Sequence, residues 1–213
     1  MGKKAVLAGA TGLVGRQLVQ LLMESTQYDE VVLFSRRETG YQHKKIREII
    51  LDFAHLKNYR QEFQGADVFC CLGTTIKKAK SEALFRMVDR TYPAVMAKLA
   101  ADEGGACFAV ISALGAKVNS PFFYNRVKGE MERDVLSDGP EKTGIFRPSL
   151  LTGEREEWRL GEKVGEKVLQ AFSFVLSGRL SKYRSVSASA VAYSMYGWAQ
   201  SKETGKKILY PSS

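Results

Sequence analysis

The chain has 213 residues, 45% of them hydrophobic and 26% charged, a composition that suits one folded domain with a sizeable buried core. No apolar stretch approaches the roughly 20 residues a membrane span requires, and the apolar run behind Met1-Gly2-Lys3-Lys4 ends at Gly9, too short for a signal peptide, so the cytoplasm is the expected compartment. The net charge of +9 is scattered in short clusters with no recognition helix, aromatic RNA-binding motif or zinc ligand set, so no nucleic-acid partner is expected.

Taken in chain order, the first predicted strand is Lys4–Ala8, followed at once by Gly9-Ala10-Thr11-Gly12-Leu13-Val14-Gly15 and an amphipathic helix carrying Leu18, Leu21 and Leu22. Strand, glycine turn and helix together form a dinucleotide-binding arrangement. A helix N-terminus offers unpaired N–H donors and a positive dipole end to a pyrophosphate, and glycines let the phosphate approach without a Cβ in the way. The glycine spacing differs from the G-x-G-x-x-G of many dehydrogenases, so it is the context that carries the reading. Gly9, Thr11, Gly12, Leu13 and Val14 are therefore candidate cofactor contacts.

Further strands are predicted at Val31–Ser35, Ile46–Leu51, Asp67–Leu72, Cys107–Ser112 and Thr143–Phe146. Ser81–Asp102 reads as one long helix with Phe85, Val88, Tyr92, Val95, Met96 and Leu99 on its apolar side and Pro93 as a kink. A helix over Phe122–Leu136 follows the fifth strand. Beyond Pro148, Leu160, Val164, Val168, Phe172 and Val175 predict another helix, Ala188–Trp198 a further one, and Lys207–Tyr210 a last short strand. Trp158, Phe172, Phe174 and Tyr183 read as core aromatics, and Glu154 and Arg155 as an exposed turn.

This alternation predicts a Rossmann-like, doubly wound α/β fold in a single domain over residues 1–213. Residues 1–148 form the cofactor-binding core, and 149–213 a small C-terminal lobe on the substrate side. Cys70, Cys71 and Cys107 fall in strands and are expected as buried free thiols, since adjacent cysteines on a strand point to opposite faces. His43 and His55 stand apart, so no metal site is expected.

Two constellations suggest chemistry. Ser35-Arg36-Arg37 occupies the end of the second strand, where chains that prefer NAD carry a carboxylate for the ribose 2′-hydroxyl. Guanidinium groups there would instead grip a 2′-phosphate, which predicts NADP(H) over NAD(H). Tyr124-Asn125-Arg126-Val127-Lys128 places Tyr and Lys four apart on one helical face, and an ammonium beside a phenol favours the phenolate. Such a tyrosine passes a proton to or from a substrate oxygen, which Ser112, at the end of the preceding strand, would hold.

These segments, with Asp52-Phe53, Cys70-Cys71-Leu72-Gly73-Thr74-Thr75, Val88-Asp89-Arg90, Ser112-Ala113-Leu114-Gly115-Ala116 and Phe146-Arg147-Pro148, resemble the short-chain dehydrogenase/reductases. The similarity is greatest to their atypical branch of Tat-interacting oxidoreductases. The resemblance implies Ser112, Tyr124 and Lys128 as the catalytic trio, with Lys128 also on the nicotinamide ribose. It implies Leu72, Gly73 and Thr74 along the cofactor, Asp52 and Phe53 at the adenine, and Pro148 at the loop beside the nicotinamide. Many relatives carry an asparagine on the fourth helix that supports a proton-relay water; Asp89 lies near that place here and is left out of the catalytic set. The expected activity is NADP(H)-dependent reduction of a carbonyl, or the reverse, on an unidentified small molecule. The alternative is an NADPH-sensing module that binds a protein partner, and a sugar-nucleotide epimerase ranks lower because the C-terminal region is short.

Overall fold

The computed structural model describes residues 2–149, 151–152 and 185–212. Strand β1 (Lys3–Ala8) is followed by α1 (Leu13–Glu24), β2 (Tyr28–Ser35) and β3 (Ile46–Ile50), then a 3₁₀ segment (Phe53–Phe63) and β4 (Asp67–Cys70). Next come the short helices α2 (Ile76–Ala79) and α3 (Glu82–Arg86), a π-helical turn (Met87–Thr91), α4 (Tyr92–Asp102), β5 (Cys107–Ile111), α5 (Phe123–Asp138) and β6 (Thr143–Phe146). The last described elements are β7 (Leu151–Thr152), β8 (Val186–Ser187), α6 (Ala188–Gln200) and β9 (Lys206–Leu209).

Seven strands form one sheet in the order β3-β2-β1-β4-β5-β6-β9, every neighbouring pair parallel. Parallel strands bury both faces, which explains why Ala5–Ala8, Val31–Phe34, Val68–Cys70 and Cys107–Ile111 are continuous apolar runs rather than alternating patterns. Ala5, Leu7, Val31, Leu33 and Phe69 face α1 and α6, whereas Val6, Val32, Val68, Phe108 and Val110 face the side of α4 and α5. The doubly wound expectation is therefore met. β7 and β8 make a separate parallel pair. The expected helix through Leu160–Val175, the aromatics between Trp158 and Tyr183, and the Glu154–Arg155 turn lie outside the described residues.

Three local departures have physical causes. The single long helix expected over Ser81–Asp102 is instead α3, a π turn and α4. Pro93 cannot donate to the carbonyl of Asp89 and its ring would strike it in a regular turn, so the helix widens just ahead of the proline. The 3₁₀ segment was not expected, because only Phe53, Leu56 and Phe63 are buried along it and no 3.6-residue period shows. β2 starts at Tyr28, earlier than expected. Its buried phenol donates to Asp67 Oδ2 at 2.7 Å and receives the Gln200 amide at 2.7 Å, anchoring the lower edge of the sheet.

Among the described residues, no helix is long and apolar enough to cross a membrane. Cys70 and Cys107 are buried free thiols and Cys71 is half-buried; burial pushes the thiols of Cys70 and Cys107 up to about 12.

Candidate functional site

In open α/β sheets, ligands lie beyond the carboxyl ends of the strands where the strand order reverses. Here that crevice lies between β1 and β4, flanked by the glycine turn after Ala8 and by the Cys71–Thr75 loop. The two loops are in close apposition. Gly9 has φ +90, and a Cβ on it would stand 2.5 Å from the Cys71 carbonyl oxygen. The Cys71 N–H donates to Ala8 O at 2.8 Å, and the Gly12 N–H closes the turn on Gly9 O at 3.0 Å. Gly12 is the N-cap of α1 and contributes no side-chain cap, so the first-turn N–H groups of α1, Leu13 and Val14 among them, have no capping side chain. The Val14 side chain is itself core, while Thr11 is exposed and accepts Arg16 Nε on its carbonyl at 3.1 Å.

Gly15 makes the turn possible from the helix side, since its Cβ would meet Gly9 O at 2.0 Å. That contact is with backbone, which cannot rotate away. Gly15→Ala is expected to open the turn and weaken binding of a nicotinamide dinucleotide at least about tenfold, roughly 1.4 kcal/mol of lost binding. Fluorescence titration with the reduced dinucleotide checks this, and undiminished affinity would show that the turn is not the phosphate cradle.

At the end of β2, Arg36 and Arg37 are exposed. Ser35 Oγ lies 2.6 Å from Arg37 O and 3.1 Å from Glu48 Oε1, and Glu48 Oε1 also accepts the Thr39 N–H at 2.9 Å. Ser35 therefore shapes the arginine turn, and its one hydrogen is already engaged there. Glu48, on β3, brings a carboxylate to this corner that the sequence did not reveal. Asp52 caps the 3₁₀ segment by accepting the Ala54 N–H at 3.0 Å. Phe53 is buried against the Tyr92 ring, centroids 5.5 Å apart, so only its backbone is available to an adenine. Tyr92, assigned from its spacing to the apolar side of a helix, sits half-buried in this corner. Burial raises its pKa, with Asp52 adding to the rise and Arg36 opposing it.

Helix α5 presents Tyr124, Lys128 and Glu132 on one stripe, successive turns apart. Gly129 lets this helix lie against the Ala116–Val118 segment, because a Cβ there would be 2.3 Å from the Lys117 carbonyl carbon. The structure gives each residue of the stripe a different partner. Tyr124 is half-buried with its ring edge-on to Phe85 at 5.9 Å. Lys128 is fully buried; its Nζ lies 2.9 Å from Asp89 Oδ1 and donates to Ile111 O at 3.4 Å. Glu132, also buried, accepts the Ser112 hydroxyl on Oε1 and is gripped by Arg147, Nε to Oε1 at 2.8 Å and a terminal nitrogen to Oε2 at 2.5 Å.

Two sequence expectations change as a result. Asp89, left out of the site, is a direct partner of Lys128, so the ammonium is not a bare charge aimed at the Tyr124 phenol. Its signal in the sequence was a carboxylate four residues after Phe85 and four before Pro93, on the face that is otherwise apolar. Ser112, expected to offer its hydroxyl to a substrate oxygen, donates its hydrogen to Glu132, which leaves only lone pairs for anything else. Neither Glu132 nor Arg147 was given a role from the sequence, although Glu132 continues the Tyr124–Lys128 spacing by one further turn. Arg147 also donates to Ala116 O at 3.1 Å and to the Tyr210 hydroxyl at 3.2 Å. Pro148 is buried, and its carbonyl accepts the Leu114 N–H at 3.0 Å, tying the chain beyond β6 to the segment after Ser112.

Comparisons with known proteins agree with this architecture. A family model described as NAD(P)H-binding matches residues 9–152. Protein HTATIP2 of Rattus norvegicus is 36% identical over 169 residues, 78% of this chain and 69% of that protein. The mitochondrial protein FMP52 of Eremothecium gossypii is 32% identical over 195 residues, 91% of this chain and 83% of that protein. Among solved structures, MoeE5 in complex with UDP-glucose and NAD superposes with a TM-score of 0.73 at 16% identity, covering 99% of this chain and 76% of that one, a likeness of fold. With the glycine turn, the doubly wound sheet and these relatives together, the chain belongs to the NAD(P)H-binding, atypical short-chain dehydrogenase/reductases that include HTATIP2.

Proposed function

We propose that the chain is an NADP(H)-dependent oxidoreductase that reduces a carbonyl, or oxidises the corresponding alcohol, with Tyr124 as the proton-carrying residue. The reading rests on one juxtaposition: the glycine cradle, the arginine turn and the Tyr124–Lys128 stripe all stand at the carboxyl ends of the same parallel strands. The cradle suits a dinucleotide pyrophosphate, since Gly9 and Gly15 let the turn close backbone against backbone and the glycine N-cap of α1 puts no side-chain cap on the helix N-terminus. A bound nicotinamide supplies or accepts the hydride. Gly12, Leu13 and Val14 hold the phosphates through backbone N–H groups, and Asp52 and the Phe53 backbone meet the adenosine end. Leu72, Gly73 and Thr74 line the path to the nicotinamide, and Pro148 closes its far side. The Tyr124 hydroxyl gives its proton to the carbonyl oxygen, or takes it back in the reverse direction, while Lys128 holds the nicotinamide ribose.

Arg36 and Arg37 are assigned to a 2′-phosphate. One charge-assisted hydrogen bond contributes about 1.5–3 kcal/mol, a roughly tenfold to hundredfold preference for NADPH over NADH. Titration of the cofactor-free protein with each reduced dinucleotide tests this. Replacing both arginines with alanine is expected to bring the two affinities together by loss of NADPH binding alone. Equal affinities in the unaltered chain would remove the arginine assignment and leave the nicotinamide one.

The bond from Ser112 to Glu132 favours a second reading. A trio whose serine hydrogen is committed elsewhere suits a chain that binds NADPH and reports its presence to a protein partner. A protein partner released when NADPH is exchanged for NADP, in a chain without turnover on any carbonyl, would establish that reading over the first.

A further inference from the structure

The Asp89 carboxylate serves two elements at once. Oδ2 accepts the Thr74 N–H at 2.8 Å, and Oδ1 lies 2.9 Å from Lys128 Nζ. Both side chains of the ion pair are essentially unexposed, at 0% and 1%. A pair buried this fully adds little net stability over two apolar side chains, because desolvation offsets the attraction; what it provides is fixed placement of charge.

The surroundings hold that placement rigid. Asp89 sits at the centre of the π turn, and Pro93 removes the N–H that a regular helix would send to its carbonyl. On either side of it, Arg86 pairs with Glu130, and Arg90 pairs with Glu130 at 2.9 Å and with Asp134 at 2.8 Å. Glu130 and Asp134 belong to α5, the helix that carries Lys128. The turn is thus fastened to α5 at its surface by arginines and at its centre by the buried pair, and it reaches across to the loop after β4 through Thr74.

Resting on the dinucleotide reading above, we infer that Asp89 is a positioning residue that sets the Lys128 ammonium and the Leu72–Thr74 loop against one another where the nicotinamide half of the cofactor lies. Its charge favours the Lys128 ammonium and holds it in place, and its second oxygen keeps the loop at hydrogen-bonding distance from the same point. Among the described residues, the groups facing Lys128 include Asp89 from the π turn, Cys70 from β4 and the Ile111 carbonyl from β5, with Tyr124 and Glu132 one turn away on its own helix. Burial holds the Cys70 thiol up at about 12, so it stays neutral in the working range.

The test uses the full chain and two readouts: NADPH affinity between about pH 6 and pH 9, and hydrogen exchange of the backbone amides at 71–76 in cofactor-free protein. Asp89→Asn keeps an oxygen for Thr74 but removes the charge. A buried ammonium that loses this carboxylate sheds its proton more readily as pH rises, so affinity should match the unaltered chain at the acid end and fall about tenfold toward the alkaline end. The unaltered chain should show a flat profile. Asp89→Glu keeps the charge but lengthens the arm, and should weaken binding at all pH values about equally while speeding exchange at Thr74. A flat profile with unaltered affinity in Asp89→Asn overturns the inference. Should that variant fail to fold, Asp89→Glu decides, and unaltered affinity and exchange in it overturn the inference equally. If the unaltered chain binds no nicotinamide, the cofactor reading fails separately, and exchange at Thr74 alone judges the positioning role, faster in Asp89→Glu if the inference holds and unchanged if it does not.

Discussion

Tyr124→Phe is expected to lower turnover about 10²–10⁴-fold, the usual contribution of a positioned general acid, with NADPH affinity unaltered. The substitution removes one oxygen and leaves the ring on Phe85, so the fold and the cradle are untouched. The measurement is steady-state NADPH consumption with the best carbonyl substrate from a screen, beside a fluorescence titration of the cofactor. Unaltered turnover would refute the role of Tyr124 and leave the cofactor site standing. Ser112→Ala provides the internal comparison. Because its hydrogen is held by Glu132, its loss is expected to cost turnover less than the loss of the Tyr124 hydroxyl. An equal loss would mean that Glu132 releases the serine when substrate binds.

The second large effect concerns stability. Arg147 is the main support of a carboxylate that is almost wholly enclosed, Glu132 being 4% exposed. Removing one partner of a buried pair typically costs about 3–5 kcal/mol, because the remaining charge stays desolvated and uncompensated. Arg147 keeps some solvent contact, which places the expected loss for Arg147→Ala toward the lower end, a fall in Tm of roughly 6–12 °C for a chain of this length. Adding Glu132→Gln should return most of that loss by removing the stranded charge, which distinguishes a missing charge from a missing packing contact. Thermal melts of the two variants and the unaltered chain check it. A melting point unmoved by Arg147→Ala would mean that water or another group already compensates Glu132.

The sheet, its winding and the place of the crevice were legible because they depend on patterns a sequence carries locally. β1, β4 and β5 carry unbroken apolar runs at Ala5–Ala8, Val68–Cys70 and Cys107–Ile111, and Gly9 and Gly15 are needed wherever a strand turns this tightly into a helix. The π turn was less legible. Pro93 announced a disturbance, but whether a helix bends, breaks or widens there depends on what it packs against. The partners of the α5 stripe were the least legible. Tyr124, Lys128 and Glu132 share a face by spacing alone, yet Asp89, Ser112 and Arg147 reach them from three other elements. Nothing local to any of those segments states which pairs will form. The corner beyond β2 shows the same limit, where Glu48 arrives from the neighbouring strand by register.

The contact between Gly9 and the Cys71 carbonyl has a consequence for how such a chain can change. The glycine turn and the Cys71–Thr75 loop are keyed together like the two leaves of a hinge pin, with no slack at the joint. Neither leaf can be retuned alone. A side chain admitted at position 9 would have to push residues 71–72 outward, and Thr74 with its hold on Asp89 would travel with them. On the proposed reading, altered preference for one end of the dinucleotide is therefore most accessible at the Arg36–Arg37 corner, whose side chains are exposed and stand apart from this joint.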